Sequence, residues 1–435
     1  MIHWIVFAAI FAAGLVPVAY LLANAALSRR RGRARCVPAA RPADITIVIP
    51  VHAERPERFE ECLRSAARQG GPVRVVGDGS LEPYRSRALA AGAEFIALPK
   101  NLGKKRALAA GIATVRTPYV LFVDSDTVLP DGTARTLSTY FEPDVGGVGA
   151  NLYVRENGSV AAGCAEFVER AREVVLRAMS SRGNVLYLDG ACTMYRTELV
   201  LPFVLSADFQ DLRVLGRPTR LGDDWLLTDH VLAEGYRTVK AYEVGVVTHR
   251  PEGLEEFARQ NVRWSRSSWI RLGRYLRGEG PENPGLFYRF ELAGTYALPL
   301  VAFVLGLLRL PLYLRIAGRF LAAALDAVGD AVTPVGGGIP VHLFRPLFSL
   351  QMIAGLVGLG AFATAVAVLL PPGRRLRTLA YGTLGASVLF ASTIYGLFTF
   401  WKAPSWRGPG PPATEGVPAT TSPSTLGRSG PLDDR

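Results

Sequence analysis

The 435-residue sequence is poor in cysteine and histidine, and the positions of these residues exclude several kinds of site. The five histidines are scattered, so they indicate neither a zinc site nor a Ser/His/Asp triad. The four cysteines are too far apart for a metal-binding pair or for the disulfide framework of a small secreted domain. We expect them to stay reduced in the cytoplasm; they are Cys36, Cys62, Cys164 and Cys192.

Features of nucleic-acid binding are also missing, although the chain carries a formal net charge of +12. No motif interleaves aromatic and basic residues for stacking on bases, and no recognition helix is evident. The arginines instead concentrate beside apolar stretches and near the acidic motifs described below. Anionic lipid and an anionic substrate explain the charge more simply, and we expect no nucleic-acid partner.

Hydrophobic residues make up 49% of the chain, and four stretches approach the ~20 residues that a membrane-spanning helix needs. No lysine or arginine precedes the first stretch, whereas five arginines follow it. This charge order is opposite to that of a cleavable signal peptide and predicts an uncleaved anchor with an external N-terminus. The stretches are residues 2–27, 292–314, 347–370 and 376–400.

The arginines at positions 374, 375 and 377 place the link between the last two stretches on the cytoplasmic side. We therefore expect a multi-pass protein of the cell membrane whose main domain is cytoplasmic. Residues 315–332 could be either an interfacial or a spanning helix. The predicted parts are an N-terminal transmembrane helix (1–28), a cytoplasmic domain (44–275), interfacial and transmembrane helices (276–402) and a disordered tail (403–435).

The cytoplasmic domain alternates strand and helix patterns, which predicts an α/β fold with a parallel sheet. Residues 44–51 are typical of a buried strand, and a segment with helical spacing follows. The next strand, at 73–76, ends at Asp78, and the strand at 119–123 ends at Asp124 and Asp126. Because the carboxyl ends of parallel strands meet at one edge, these polar residues should converge on one crevice.

Asp124 and Asp126 predict a metal site at this edge. Mg²⁺ or Mn²⁺ prefers oxygen ligands and keeps open positions for substrate phosphates, so one or two carboxylates suffice. The expected ligand is a nucleotide diphosphate. The same Asp-x-Asp spacing also occurs in turns and calcium loops.

Lys104 and Lys105 belong to a basic run that begins a helix of small residues. A cationic run at a helix start opposes the helix dipole, and this unfavourable placement suggests a phosphate partner. The alternative is a solvated basic turn.

Asp223 and Asp224 follow Gly222 at the start of another helix. Attack of a hydroxyl on a sugar carbon needs a general base within hydrogen-bonding reach, and a carboxylate in a cleft meets that requirement. The alternative is a helix-capping pair.

Gln260, Arg263 and Trp264 share one face of a later helix. Arginine can bind a diphosphate through two parallel hydrogen bonds, and tryptophan offers a flat face to a sugar. The same helix could also lie on a membrane surface.

These motifs, in this order, resemble the signatures of membrane-integrated family 2 glycosyltransferases, particularly hyaluronan synthases and nodulation-type chitin-oligosaccharide synthases. The resemblance covers residues 44–271 and rests on the motifs at 123–127, 222–224 and 260–267. It implies a GT-A (Rossmann-like) α/β domain with one N-terminal and about three C-terminal transmembrane helices. It also implies a UDP-sugar donor, Mg²⁺ or Mn²⁺, and inverting transfer to a saccharide hydroxyl.

The resemblance implies a role for each site residue. Asp224 matches the catalytic base, with Asp223 beside it. Asp126 resembles the metal ligand, with Asp124 on the nucleotide side. The remaining residues resemble those that bind the nucleotide sugar: Asp78, Lys104, Lys105, Gln260, Arg263 and Trp264. The last three match the motif that closes over the diphosphate and the acceptor end. One departure is Trp225, which stands where an arginine is common.

The product implied by the resemblance is a β-linked amino-sugar polymer that the enzyme extends processively and passes through its own membrane helices. Hyaluronan, made from UDP-N-acetylglucosamine and UDP-glucuronic acid, is the leading expectation. Alternatives are a chitin oligosaccharide or other β-glycan, and a single transfer to a lipid or short acceptor. A catalytically inactive scaffold is disfavoured because the acidic motif residues all persist.

Overall fold

The computed structural model describes residues 2–30, 37–249, 251–282, 284–296, 298–305, 307 and 345–402. The ambiguous segment at 315–332 and the tail predicted at 403–435 lie outside these residues. Three of the four cysteines lie among the described residues, and all three are buried free thiols: Cys62, Cys164 and Cys192.

The described strands form an eight-stranded mixed sheet and a separate two-stranded hairpin. The order in the large sheet is β3-β2-β1-β4-β7-β6-β10-β5, and β8 pairs with β9 in the hairpin. The strands are β1 (Ile45–Val51), β2 (Val73–Asp78), β3 (Glu94–Leu98), β4 (Tyr119–Val123), β5 (Thr127–Val128), β6 (Val145–Val154), β7 (Cys192–Arg196), β8 (Arg213–Val214), β9 (Arg217–Pro218) and β10 (Arg237–Thr248).

The expectation of a parallel sheet is confirmed for β1 to β4, which pair in parallel with one another. The parallel arrangement is interrupted at β7, which runs antiparallel to both β4 and β6, although β6 and β10 again pair in parallel. The reversal occurs between strands that are far apart in the sequence, so no local pattern reports it. Because β1, β2 and β4 run in parallel, their carboxyl ends lie together at one edge of the sheet, as predicted from the sequence.

The described helices are α1 (Ile2–Leu27), α2 (Pro56–Ala67), α3 (Tyr84–Ala90), α4 (Lys104–Ile112), α5 (Thr133–Ser138), α6 (Val160–Ser180), α7 (Thr197–Leu205), α8 (Ala207–Gln210), α9 (Asp223–Ala233), α10 (Leu254–Leu276), α11 (Arg345–Val368) and α12 (Arg375–Leu397). Residues 286–296 and 298–305 are also helical.

Two apolar layers cover the two faces of the sheet. Ile47 and Ile49 of β1 are fully buried in the same cluster as Phe59 of α2, whereas Val48 is buried with Leu108 of α4 on the other face. This alternation is the period-two pattern of a strand that is buried on both sides. Burial of each such side chain contributes ~1.5–3 kcal/mol, which fixes the register that aligns the strand ends.

The long helices α6 and α10 connect the sheet domain to the terminal helices. α6 packs against α1 and α12, and α10 also packs against α12. The indole of Trp269 in α10 donates a hydrogen bond to the carbonyl of Thr393 at 2.8 Å. Glu156 forms ion pairs with Arg374 and Arg377 at the start of α12. Over the described part of the chain, none of the helices combines the length and apolarity needed to cross a membrane.

Candidate active site

Asp78 ends β2 and shapes the loop that precedes α4. Its fully buried carboxylate accepts hydrogen bonds from the backbone N–H groups of Leu102 and Gly103, at 2.6 and 2.8 Å. Gly103 has a φ of +95°, a backbone conformation that glycine adopts without strain. The structure therefore places Asp78 as the anchor of the loop that leads into Lys104.

Lys104 joins two acidic motifs that are about a hundred residues apart. Its Nζ lies 2.6 Å from an oxygen of Asp124 at the end of β4 and 2.9 Å from one of Asp223 at the start of α9. Burial alone would lower the pKa of Lys104, but the two carboxylates raise it above its ordinary value, so the side chain stays charged. Gly190 makes room for this bridge, because a Cβ there would lie 2.9 Å from Nζ of Lys104.

Lys105 has a different environment from Lys104 and does not share its ion pairs. Its side chain is only 3% exposed, and its Nζ has no hydrogen-bond partner among the described residues. Burial lowers its pKa to about 8. A solvated basic turn would leave both lysines in water, so the structure disfavours that alternative.

Asp124 and Asp126 form a carboxylate cluster with Glu54. Asp126 accepts a hydrogen bond from the hydroxyl of Thr248 at 3.2 Å. Burial, followed by the negative charges of Asp124 and Glu54, raises the pKa of Asp126 to about 7. Mutually repelling carboxylates of this kind are what a divalent cation stabilises. The donor set therefore fits Mg²⁺ or Mn²⁺ chemically.

The described acidic side chains do not form a complete metal coordination shell by themselves. Among the described residues, no group of three or more histidine, cysteine or acidic side chains has metal-binding geometry. Mg²⁺ commonly binds one or two carboxylates and completes its shell with water and substrate phosphates. Asp126 is thus the candidate protein ligand, with Asp124 next to it.

Glu54 belongs to the site although the pattern of strand ends did not reveal it. It lies three residues beyond β1, whose end was placed in the crevice, so extending the same argument along the loop would have found it. Its pKa is raised by burial and, to a smaller extent, by the charge of Asp124.

Asp223 and Asp224 begin α9 but neither caps it in the way the alternative interpretation required. The N-cap position is Gly222, without a side-chain cap. Asp223 binds Lys104, and Asp224 accepts a hydrogen bond from the N–H of Trp225 at 2.8 Å. Burial and the charge of Asp223 raise the pKa of Asp224 to about 6. A carboxylate with a pKa near 6 is suited to accept a proton at neutral pH.

Of the three predicted residues of α10, Arg263 and Trp264 can be located by their neighbours. Burial raises the pKa of Asp124, and the charge of Arg263 is one of those that partly oppose this rise, which places Arg263 near the end of β4. The ring of Trp264 lies 5.0 Å from the guanidinium carbon of Arg172. Gln260, one turn earlier, is half-buried.

Trp225 fastens α9 to α10. Its buried indole donates a hydrogen bond to the hydroxyl of Ser267 at 2.9 Å. The sequence showed Trp225 only as a departure from a motif, and no local signal linked it to Ser267. The contact holds the helix that bears Asp224 against the helix that bears Trp264.

Replacing Lys104 by methionine should lower the free energy of unfolding by about 2 kcal/mol, because Asp124 and Asp223 would lose the cation between them. Removing one partner of a fully buried pair costs ~3–5 kcal/mol, and partial exposure reduces that cost here. At roughly 2–4 °C per kcal/mol, the melting temperature of the full chain should fall by about 4–8 °C.

Lys105→Met is the matched control for this prediction. It removes a neighbouring buried cation that has no hydrogen-bond partner among the described residues, so the melting temperature should stay unchanged or rise. Equal losses in the two variants would show that the ion pairs of Lys104 do not stabilise the fold.

Comparison with known proteins identifies the family and the fold of the chain. Residues 42–267, just over half of the chain, match the model of "Glycosyltransferase like family 2". The N-acetylglucosaminyltransferase of Azorhizobium caulinodans is 31% identical over 263 residues, which cover 57% of this chain and 65% of the relative. The N-acetylglucosaminyltransferase of Rhizobium meliloti is 32% identical over 246 residues, covering 52% and 55%. The chain thus spans less than two thirds of the length of these two relatives.

Among solved structures, the mannosyltransferase PcManGT from Pyrobaculum calidifontis, in complex with GDP-Man and Mn²⁺, has a similar fold. The TM-score is 0.57 at 18% identity, and the match covers 90% of this chain and 97% of the mannosyltransferase. This likeness confirms the expected GT-A-like α/β fold, with a mixed sheet in place of the parallel sheet that was predicted. The family match over residues 42–267 shows that the chain is an enzyme that belongs to the family 2 glycosyltransferases.

Proposed function

We propose that this glycosyltransferase moves a sugar, with inversion, from a UDP-sugar to a hydroxyl of a β-linked amino-sugar chain. One observation carries the proposal: Lys104 bridges Asp124 and Asp223 at 2.6 and 2.9 Å. This bridge brings the strand end expected to hold the donor next to the helix start that bears Asp224. A donor and a general base can therefore meet in one crevice.

In the proposed mechanism, Asp224 accepts the proton of the acceptor hydroxyl. The hydroxyl oxygen forms a bond to the anomeric carbon as the bond from that carbon to the UDP oxygen breaks. The electron pair of the broken bond leaves with UDP, and attack from the opposite face inverts the anomeric centre. The pKa of about 6 keeps most of the Asp224 carboxylate ready to accept a proton at neutral pH.

Lys104 and Arg263 would serve the donor side. Both carry positive charge close to Asp124, and a diphosphate that enters the crevice would gain their hydrogen bonds. Asp223 keeps Lys104 protonated and directed into the crevice. Asp78 contributes by holding the loop before Lys104, and Gln260 extends the same face of α10 towards the donor.

Asp126, with Asp124, would hold Mg²⁺ or Mn²⁺. When bound, the cation neutralises charge on the departing diphosphate. The fold neighbour from Pyrobaculum calidifontis was solved with Mn²⁺, which supports a divalent metal without choosing between the two ions.

For the donor we favour UDP-N-acetylglucosamine, because the curated relatives are N-acetylglucosaminyltransferases. These relatives favour a chitin-type product over the leading expectation of hyaluronan, which needs UDP-glucuronic acid as well. Processive extension remains part of the proposal and rests on the resemblance of the motif at 260–264.

We further propose that the terminal helices associate with the cell membrane and that the catalytic domain is cytoplasmic. The order of charges around residues 2–27 supports this placement. The ion pairs of Glu156 with Arg374 and Arg377 also support it, because they hold the predicted cytoplasmic link against the catalytic domain.

A donor screen on purified membranes tests the proposed function. UDP-N-acetylglucosamine alone should give UDP release and a product that chitinase degrades. Incorporation of glucuronate, together with sensitivity to hyaluronidase, would instead favour hyaluronan. A single added sugar on a lipid or short acceptor would contradict processivity, and no UDP release with any UDP-sugar would contradict the proposed donor class.

A further inference from the structure

Arg172 of α6 connects two regions of the site that the sequence motifs do not link. Its guanidinium carbon lies 4.9 Å from the ring centroid of Tyr187 and 5.0 Å from that of Trp264. Its Nε donates a hydrogen bond to the hydroxyl of Tyr187 at 2.6 Å. Its two terminal nitrogens donate to Glu169 at 2.7 Å and to Asp189 at 3.2 Å.

Asp189 carries this network to the catalytic crevice. It is buried and bonded to both Arg172 and the buried Lys240. Although burial alone would raise the pKa of Asp189, Lys240 and Arg172 lower it below its ordinary value. The next residue, Gly190, lies against Lys104 and the Cβ of Asp224. The fixed carboxylate of Asp189 therefore connects the Arg172 guanidinium to the backbone beside the proposed base.

We propose that Arg172 is a positioning residue: its guanidinium fixes the ring of Trp264 relative to Asp224, and so sets how the acceptor sugar lies against the base. This inference rests on the proposed function and on the predicted role of Trp264, whose flat ring can lie against the acceptor sugar. Arginine suits the task because its planar group stacks on rings while its fork of N–H donors binds carboxylates in fixed directions. Lysine would keep the charge but neither the plane nor the fork.

Arg177, on the same helix, provides a matched control. Its guanidinium carbon lies 4.3 Å from the ring of Tyr242, and it forms an ion pair with Glu173 at 2.6 Å. It has almost the same side-chain exposure as Arg172, 29% against 26%. Its contacts do not include Trp264 or Asp189, so Arg177→Lys reproduces the chemical change without touching the proposed connection.

The kinetic test compares Arg172→Lys with Arg177→Lys in the full-length enzyme. A β-linked N-acetylglucosamine tetrasaccharide serves as acceptor and UDP-N-acetylglucosamine as donor. Arg172→Lys should raise KM for the tetrasaccharide by roughly tenfold, because losing one charge-assisted or stacking contact weakens binding by about that factor. The KM for the donor should change less than about twofold. Arg177→Lys should leave both constants near those of the unaltered enzyme. Equal acceptor KM values in the two variants would overturn the proposal.

A spectroscopic test separates this inference from the proposed function. With fluorotryptophan incorporated, the ¹⁹F resonance of Trp264 can be assigned from its loss in Trp264→Phe. It should shift or broaden in Arg172→Lys and stay unchanged in Arg177→Lys. An unchanged resonance in Arg172→Lys would contradict the positioning role even if transfer were normal. A shifted resonance without any transfer by the unaltered enzyme would leave the positioning of the ring intact and contradict the proposed acceptor.

Discussion

Replacing Asp224 by asparagine is expected to slow sugar transfer by ~10² to 10⁴, the usual cost of removing a general base, and to leave the affinity for UDP within about twofold. The amide cannot take the proton of the acceptor hydroxyl. It has the same shape as the carboxylate, however, and its oxygen can still accept the hydrogen bond that Trp225 donates at 2.8 Å. The start of α9 should therefore keep its structure.

Turnover and UDP affinity measured on the same preparation test this expectation. Asp208→Asn, an exposed aspartate in α8, is a control for the chemical change itself and should behave like the unaltered enzyme. Near-normal turnover of Asp224→Asn would exclude Asp224 as the base. A parallel loss of UDP binding would indicate a structural defect instead.

The pH dependence of kcat/KM provides a second measurement on the same residue. Burial and the charge of Asp223 raise the pKa of Asp224 to about 6. The base works only when it is deprotonated, so at saturating Mn²⁺ activity should be full above this pKa and fall as the pH drops through about 6. A profile that stayed flat down to pH 4.5 would contradict a base with this pKa.

The sequence was sufficient to predict the parts of the site that follow from local periodicity. The ends of β2 and β4 could be located because apolar runs stop at Asp78 and Asp124. The spacing along α10 also predicted that Gln260, Arg263 and Trp264 share one face of the helix. Each of these conclusions depends only on neighbours in the sequence and on the general rule that parallel strands share an edge.

The pairing of side chains across the crevice could not be predicted in the same way. Lys104 and Lys105 are neighbours of the same type, yet one bridges two carboxylates and the other is buried without a hydrogen-bond partner among the described residues. The difference depends on how α4 is rotated against the sheet and α9. The contact of Arg172 with Trp264 similarly requires α6 and α10 to pack together, which no spacing within either helix reveals.

Trp225 shows how a departure from a motif can acquire a physical explanation. Its indole is buried and bonded to Ser267, so it contributes to the packing of α9 on α10. An arginine at this position would instead have brought a positive charge beside Asp224. The sequence could identify the difference but not the partner, because Ser267 is 42 residues away.

Removal of the divalent metal is the second change that should strongly reduce sugar transfer. EDTA should abolish sugar transfer, and Mn²⁺ or Mg²⁺ should restore it in the unaltered enzyme. Asp126→Ala should lose activity by about a hundredfold or more, in line with the several kcal/mol that a metal contributes to a charged transition state, and added metal should not restore it. Asp131→Ala is the control, since that exposed aspartate pairs only with Arg68 on the surface in the described structure.

The carboxylate cluster gives this prediction its physical basis. Without a cation, burial and repulsion from Asp124 and Glu54 raise the pKa of Asp126 to about 7, so its ionised form is unfavourable. A bound cation would reverse this effect and make the ionised form the favoured one. Binding of Mn²⁺, measured by electron paramagnetic resonance, should therefore weaken as the pH falls below 7, and it should be lost in Asp126→Ala but retained in Asp131→Ala. Full transfer activity in chelator, or equal Mn²⁺ affinity in the two variants, would exclude Asp126 as the metal ligand.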